Sequence, residues 1–421
     1  MKFTITHKDL FRVISALFIA GLLSSCQLNK MKTVTLWTDQ SDFAFYAEMF
    51  NARQKKYKIE VYYYENLTET LAKTKQFPDI VVGTGLKNSE TRRNFKDLDY
   101  FFDELLLKRT NFYENLLQLG NIDNKQYLLP VSFNLPAVIF SKENSNLISK
   151  PFYLTLDEIQ SLGKAFNQQN KQGIYTKMGF SPRWNDESLF ILTRLFNVSY
   201  RESNPLSWDA AALDRALNYV YRWSTETNGS PEAEDDFAFK YLYNPPAVIA
   251  TSGKTLFAYI SSEDLFTLGE DRLSTLDFRW VGQGNAIPIM EGASFLGIYK
   301  RSKAKQAIDT FIQWFYREEN QRDILQQSKD LRSLDYSFGI AMGFSALRTV
   351  TEQIFPTFYP ILLGHTPPAD SLVSPGILPK NWEALKTRVI LPYLREASRT
   401  DKRSGQSTLE KRLADWLKNN P

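Results

Sequence analysis

The sequence beyond residue 31 predicts an α/β protein, on three observations. Short β-branched apolar runs alternate with segments whose apolar residues recur at helical spacing. With 421 residues, the chain has room for two lobes at about 150 residues per domain. Hydrophobic residues make up 43% and charged residues 23% of it, the balance of a chain that buries a core.

The first 26 residues are of another kind. Lys2, Lys8 and Arg12, against the single Asp9, precede an apolar run over residues 13–23. That run is too short to span a bilayer, which takes roughly 20 residues. Ser24, Ser25 and the only cysteine, Cys26, follow. Charged head, apolar middle and small residues before a cut read as an export signal. Leu23-Ser24-Ser25-Cys26 resembles the lipobox of bacterial lipoproteins, which implies cleavage before Cys26 and acylation of its sulfur and new amino group. Several acyl chains hold a protein stably at a membrane where one is marginal. The plain alternative is an ordinary signal peptide with an incidental cysteine. Residues 1–25 are thus read as the signal and 26–31 as a tether.

Composition excludes several functions. The formal charge of +4 falls to +2 once Lys2, Lys8, Arg12 and Asp9 leave with the signal. No basic stripe interleaved with aromatics appears, so nucleic acid is not an expected partner. Lys402, Arg403, Lys411 and Arg412 read as a solvated face. With Cys26 acylated no disulfide can form, and His365 is the one histidine left, so a Cys/His metal centre is ruled out. The nucleophile elbow, zincin, dinucleotide and phosphate-loop motifs are all missing from the sequence. No cofactor and no metal are expected.

The elements follow in order. Residues 33–37 are a strand, and Ser41 precedes a helix with Phe43, Tyr46, Ala47 and Phe50 on one side. Ile59, Val61 and Tyr63 alternate as a second strand, and residues 80–83 are a third, giving the β-α-β spacing of a parallel sheet. Residues 128–140 read as a strand pair broken by a polar turn at 132–134. Thr155-x-x-Glu158 is a capping box. Further strands are expected at 178–180, 256–260, 278–281 and 295–299, with helices over 188–196 and from Ser302. Residues 364–379 are a Gly/Pro-rich loop.

This order of motifs resembles the extracellular solute-binding proteins of bacterial ABC importers, the branch with maltose- and other sugar-binding proteins. The strand-loop-helix over 34–50, Pro78-Asp79-Ile80-Val81, and the segment 95–101 are similar to the family's opening. Residues 127–142 resemble its crossover, 154–159 its capped helix, and 291–315 its glycine-led strand and helix. The resemblance implies two α/β lobes with a ligand cleft between them. Residues 32–141 and 288–330 would form one lobe, residues 142–287 and 331–421 the other, with crossings near 141, 287 and 331–343.

It also implies site residues just after strands. Asp39 would accept two sugar hydroxyls, or else serve as an acid at a helix start. Thr84 and Gly85 would let backbone approach the ligand, and Asn134 would present an amide. Trp184, and less directly Trp382, would stack on a sugar face, which suits a large ring with few rotamers; for Trp184 the alternative is a core ring covering a helix start. Ser261, Glu263, Glu291 and Gly292 complete the set. The implied function is a lipid-anchored, monomeric receptor at the cell envelope, facing periplasm or exterior. It would capture a small solute, a sugar first, and hand it to ABC permease subunits without covalent chemistry. A polyamine bound by Asp39, Glu263 and Glu291, a phosphate ester, a surface glycoside hydrolase and an interaction protein on the same fold remain alternatives.

Overall fold

The computed structural model describes residues 31–403 and 405–420; the leader and Cys26 lie outside the described residues. Among the described residues no helix is long and apolar enough to cross a membrane. The chain begins with strand β1 (Lys32–Thr38), helix α1 (Asp42–Arg53), β2 (Tyr57–Tyr63) and β3 (Ile80–Gly83). β1 runs parallel to both β2 and β3 and lies between them. α1 buries Phe43, Tyr46, Ala47, Met49 and Phe50, the stripe its spacing predicts.

Next come β4 (Leu129–Phe133) and β5 (Pro136–Ser141), each buried along its whole length. They are not a hairpin: β4 joins the first sheet and β5 the second. The chain therefore crosses between lobes at Asn134-Leu135, ahead of the position expected near 141. Pro136 supplies the reason, because it biases Leu135 toward extended backbone and prevents a tight reversal.

The second lobe holds β6 (Tyr153–Thr155), α2 (Leu156–Phe166), α3 (Asp186–Leu195), α4 (Ala210–Arg222) and α5 (Pro231–Lys240), then β7 (Ala258–Ser261) and β8 (Leu276–Gly282). Its four strands run β7-β5-β8-β6, with β5 antiparallel to both neighbours and β8 parallel to β6. α2 opens on the expected capping box, Thr155 and Glu158 each satisfying the other's backbone N–H. β9 (Ser294–Ile298) then returns to the first sheet between β3 and β4. α6 (Lys305–Phe315), α7 (Glu318–Asp330) and β10 (Phe344–Ser345) follow, and β10 pairs with β4 at the sheet edge. Residues 331–343 thus stay with the first sheet, against the expectation that they cross. The last crossing lies later, where Leu372–Val373 pairs with Ile287–Pro288 and the packing passes from Leu372 in one core to Trp382 in the other.

Strand periodicity explains how two cores share one sheet. Ala137 and Ile139 of β5, with Leu276, Phe278 and Trp280 of β8, face the first core. Val138, Phe140 and Val281 face the second. One contact ties α2 to the loop that leads to Trp184. Gly163 lies against Gly179, whose carbonyl accepts from the N–H groups of Leu256 (3.0 Å) and Phe257 (2.9 Å). A Cβ on Gly179 would come 2.2 Å from Gly163 Cα. Gly179→Ala is therefore expected to destabilise the fold by about 1–3 kcal/mol, read as a lower urea midpoint at unchanged slope.

Candidate functional site

Two of the crossings meet at one side chain. Asn134, half-buried, donates its amide to the carbonyl of Met342 (2.8 Å) and accepts from the Ser262 hydroxyl (2.6 Å). Its own carbonyl accepts from Met290 N–H (2.9 Å). Ser262 also takes the next residue in hand: Leu135 N–H donates to its hydroxyl (3.0 Å), and its own N–H donates to Leu135 carbonyl (2.9 Å). Ala341 and Met342 hold positive φ of 46° and 57°, a conformation such residues adopt only when the surroundings impose it. Here the Ala341 carbonyl accepts from Ser132 (2.9 Å) and its N–H donates to Tyr46 (2.9 Å).

Beside this knot lies a cavity of about 500 Å³. The crossings contribute Asn134, Met290 and Gly292, and β7 with its following turn contributes Tyr259, Ser261, Glu263 and Asp264. Asn185 and Glu187 close another side, and Pro245, Pro246 and Ala247 an apolar wall. Asn185 is positioned by capping α3, its Oδ1 accepting from Ser188 N–H (3.0 Å). A shallow groove with Trp184 at its edge shares Asn185 and Glu187 with the cavity, so the two are contiguous.

Of the residues the sequence singled out, Asn134, Ser261, Glu263 and Gly292 come together in this cavity. Trp184 sits on the adjoining groove as a braced ring, stacked on Phe237 at 5.5 Å and donating its indole N–H to Glu234 carbonyl (3.1 Å). Asp39, Thr84 and Gly85 do not line the cavity. Asp39 ties the ends of β1 and β3, accepting from Thr84 N–H (3.1 Å) and hydroxyl (3.0 Å) and from Gln40 (2.8 Å). Gly83 permits this, since a Cβ there would lie 2.6 Å from Asp39 Oδ1. Gly85, exposed at φ 67°, is a turn glycine.

Glu291 and Trp382 belong to the second core instead. Glu291 is buried and paired with Arg194 (2.6 Å) and Lys386 (3.3 Å). Burial would raise its pKa, but the two cations hold it below the ordinary value. From the first lobe Lys87 faces the same charges, buried over the Phe295 ring at 4.9 Å, and burial pushes its pKa down to about 8. Trp382 is 5% exposed and packs on Phe190 and Tyr200. It opens its helix rather than preceding it, and with Glu291 it lines a separate cavity of about 220 Å³ that shares no residue with the one beside Asn134.

Sequence reasoning missed Tyr259, Asn185, Glu187 and Asp42. Tyr259 falls on a strand period and reads as core; Asn185 carries only a helix-cap signal. Asp42, at the start of α1, faces Glu263 across the crossing, and burial raises the carboxyl pKa of both. Among the described residues no group of three or more Asp, Glu, His or Cys could hold a metal ion.

No family model matches the sequence, and no curated protein matches it. Solved structures do. A sugar transporter from Rhizobium etli in an open conformation aligns with a TM-score of 0.63 at 14% identity, over 92% of this chain and 98% of that one. A cyclic α-maltosyl-1,6-maltose-binding protein from Arthrobacter globiformis gives 0.60 at 18% identity, over 91% and 96%. An ABC substrate-binding protein from Listeria monocytogenes, in complex with cycloalternan, gives 0.59 at 13% identity, over 93% and 98%. This chain has their two-lobed fold. At such identities the likeness is one of architecture.

Two outcomes follow from the charges. Glu291→Ala strands Arg194 in the interior, leaving Lys386 with Glu187 alone, and is expected to destabilise the protein by about 3–5 kcal/mol in urea unfolding. Glu263→Gln should do the opposite. A carboxyl whose folded pKa is raised weakens the fold above that pKa and not below its unfolded value. The ligand-free variant should melt about 1–3 °C higher at pH 7, and the gain should vanish by about pH 4.

Proposed function

We propose that this chain is a lipid-anchored receptor that captures a carbohydrate between its lobes and delivers it to an ABC transporter. The observation that carries the reading is the cavity at the crossings. Asn134, Asn185, Ser261 and Tyr259 offer it amides and hydroxyls, and Trp184 offers a braced ring on the groove beside it. Small-molecule sites combine such a wall with a few placed polar groups. The structural neighbours named above include proteins described as binding cycloalternan and a cyclic maltosyl-maltose. The continuity of groove and cavity suits an oligosaccharide, with one unit enclosed and another against Trp184.

Function here is binding and not covalent chemistry. Segments pinned at Asn134 act as the hinge, and a ligand that touches both lobes favours the closed state by its higher affinity for it. The closed form would dock on the permease. Acyl chains on Cys26, after removal of residues 1–25, would keep the monomeric receptor at the cell envelope, facing periplasm or exterior.

A thermal-shift screen of the protein against mono- and oligosaccharides tests this. A ligand at about 100 times its Kd stabilises by about 2.7 kcal/mol, a shift of a few degrees. Trp184→Ala should weaken oligosaccharides about tenfold and leave monosaccharides unaffected. No shift with any sugar from well-folded protein would favour the interaction-protein alternative.

A further inference from the structure

The cavity has an uneven charge. Its lining includes Glu187, Glu263 and Asp264 but no lysine, arginine or histidine. Glu187 is answered by Lys386 at 2.7 Å. Glu263 and Asp264 make no ion pair among the described residues, and neither does Asp42 across the crossing. Asp264 accepts the Ser261 hydroxyl (2.8 Å), and Asp42 accepts that of Ser337 (2.8 Å). Glu263 has least: one contact of 3.5 Å from Asn134, whose amide is already given to Met342. A carboxylate so placed has lost part of its hydration without gaining a counter-charge.

A second observation is independent of the acids. Tyr259 lines the same cavity, is 7% exposed, and its hydroxyl has no hydrogen-bond partner among the described residues. A buried hydroxyl left unmade is expensive, and the side chain that carries this one stands on the cavity wall. Burial raises its pKa, and Glu187, Glu291 and Asp264 raise it further against the opposing Arg194.

These features select among solutes. A phosphate ester would meet Glu263 and Asp264 with no cation to receive it. A metal ion lacks its ligand set, since calcium alone takes six to eight oxygens. Neutral hydroxyls can donate to a carboxylate, but they leave Glu263 facing Asp264 and Asp42 with like charge. A protonated amine does both, because an ammonium has three donors and the opposite charge. We infer that the captured saccharide carries a free amino group, which seats against Glu263 and Asp264, with Tyr259 accepting from or donating to the adjoining hydroxyl. The inference rests on the carbohydrate reading and names the class of sugar.

The test is calorimetry on the full-length protein in detergent, with matched trisaccharides of glucose, galactose and mannose series in hydroxyl, N-acetyl and free-amine forms, and with spermidine. The free-amine member of one series should bind at least tenfold tighter than its two neutral counterparts. Glu263→Gln should abolish that preference without lowering the melting temperature, and Tyr259→Phe should weaken the amine form while keeping the preference. Equal or tighter binding of a neutral member would overturn the inference and leave the carbohydrate reading standing. Spermidine binding with no saccharide bound would overturn the carbohydrate reading and with it the amino-sugar assignment. No binding by any of them would overturn both.

Discussion

Much of this molecule depends on Asn134. Two sheets that share no strand have to be held in register by segments running between them, and such segments carry backbone groups with no ladder to join. Asn134 answers several of these groups at once, with a donor aimed at Met342, an acceptor at Ser262 and a carbonyl at Met290. An amide donates from its nitrogen and accepts at its oxygen, so one short side chain can face both kinds of group. Apolar substitutes would leave Met342 and Ser262 unpaired; a carboxylate would set like charge against Glu263. The cavity opens beside this knot, with Asn134 and Met290 in its wall.

Carboxylates take two fates around that space, decided by their neighbours. Glu291 is buried with Arg194 and Lys386 and is part of the scaffold, a closed set of charges that fixes how the last crossing sits on α3. Glu263 and Asp42, on opposite sides of the first crossing, have hydroxyls and an amide near them but no cation. The first arrangement is neutralised from within, and the second has no counter-charge among the described residues. Glu291 belongs to the scaffold, whereas the charge on Glu263 weakens the fold slightly and, in the proposed reading, is left for a ligand.

The fold was legible in the sequence where local rules were enough. The stripe on α1, the β-α-β opening and the Thr155–Glu158 capping box appear as read, because spacing and capping depend on neighbours a few residues apart. The break at 132–134 was visible too, as a polar residue in an apolar run, but its meaning was not. A hairpin and a crossing leave the same trace in sequence, and which sheet β5 joins is a matter of long-range pairing. The same holds at 331–343, a polar stretch that returns to β4 instead of leaving it.

The candidate site divides along the same line. By itself the sequence determined the alternation that builds two α/β layers, and the residue types fit for a small-molecule cleft: Asn134, Ser261, Glu263 and Gly292 at the ends of strands. Only the tertiary structure decided which of those residues share a space and which are already satisfied. Glu291 and Glu263 look alike in sequence, each an acid in a loop after a strand. They differ because Arg194 and Lys386 reach the first and no cation reaches the second. Chain position sets what a side chain can do, and neighbours brought in from a hundred residues away set whether that capacity is already used.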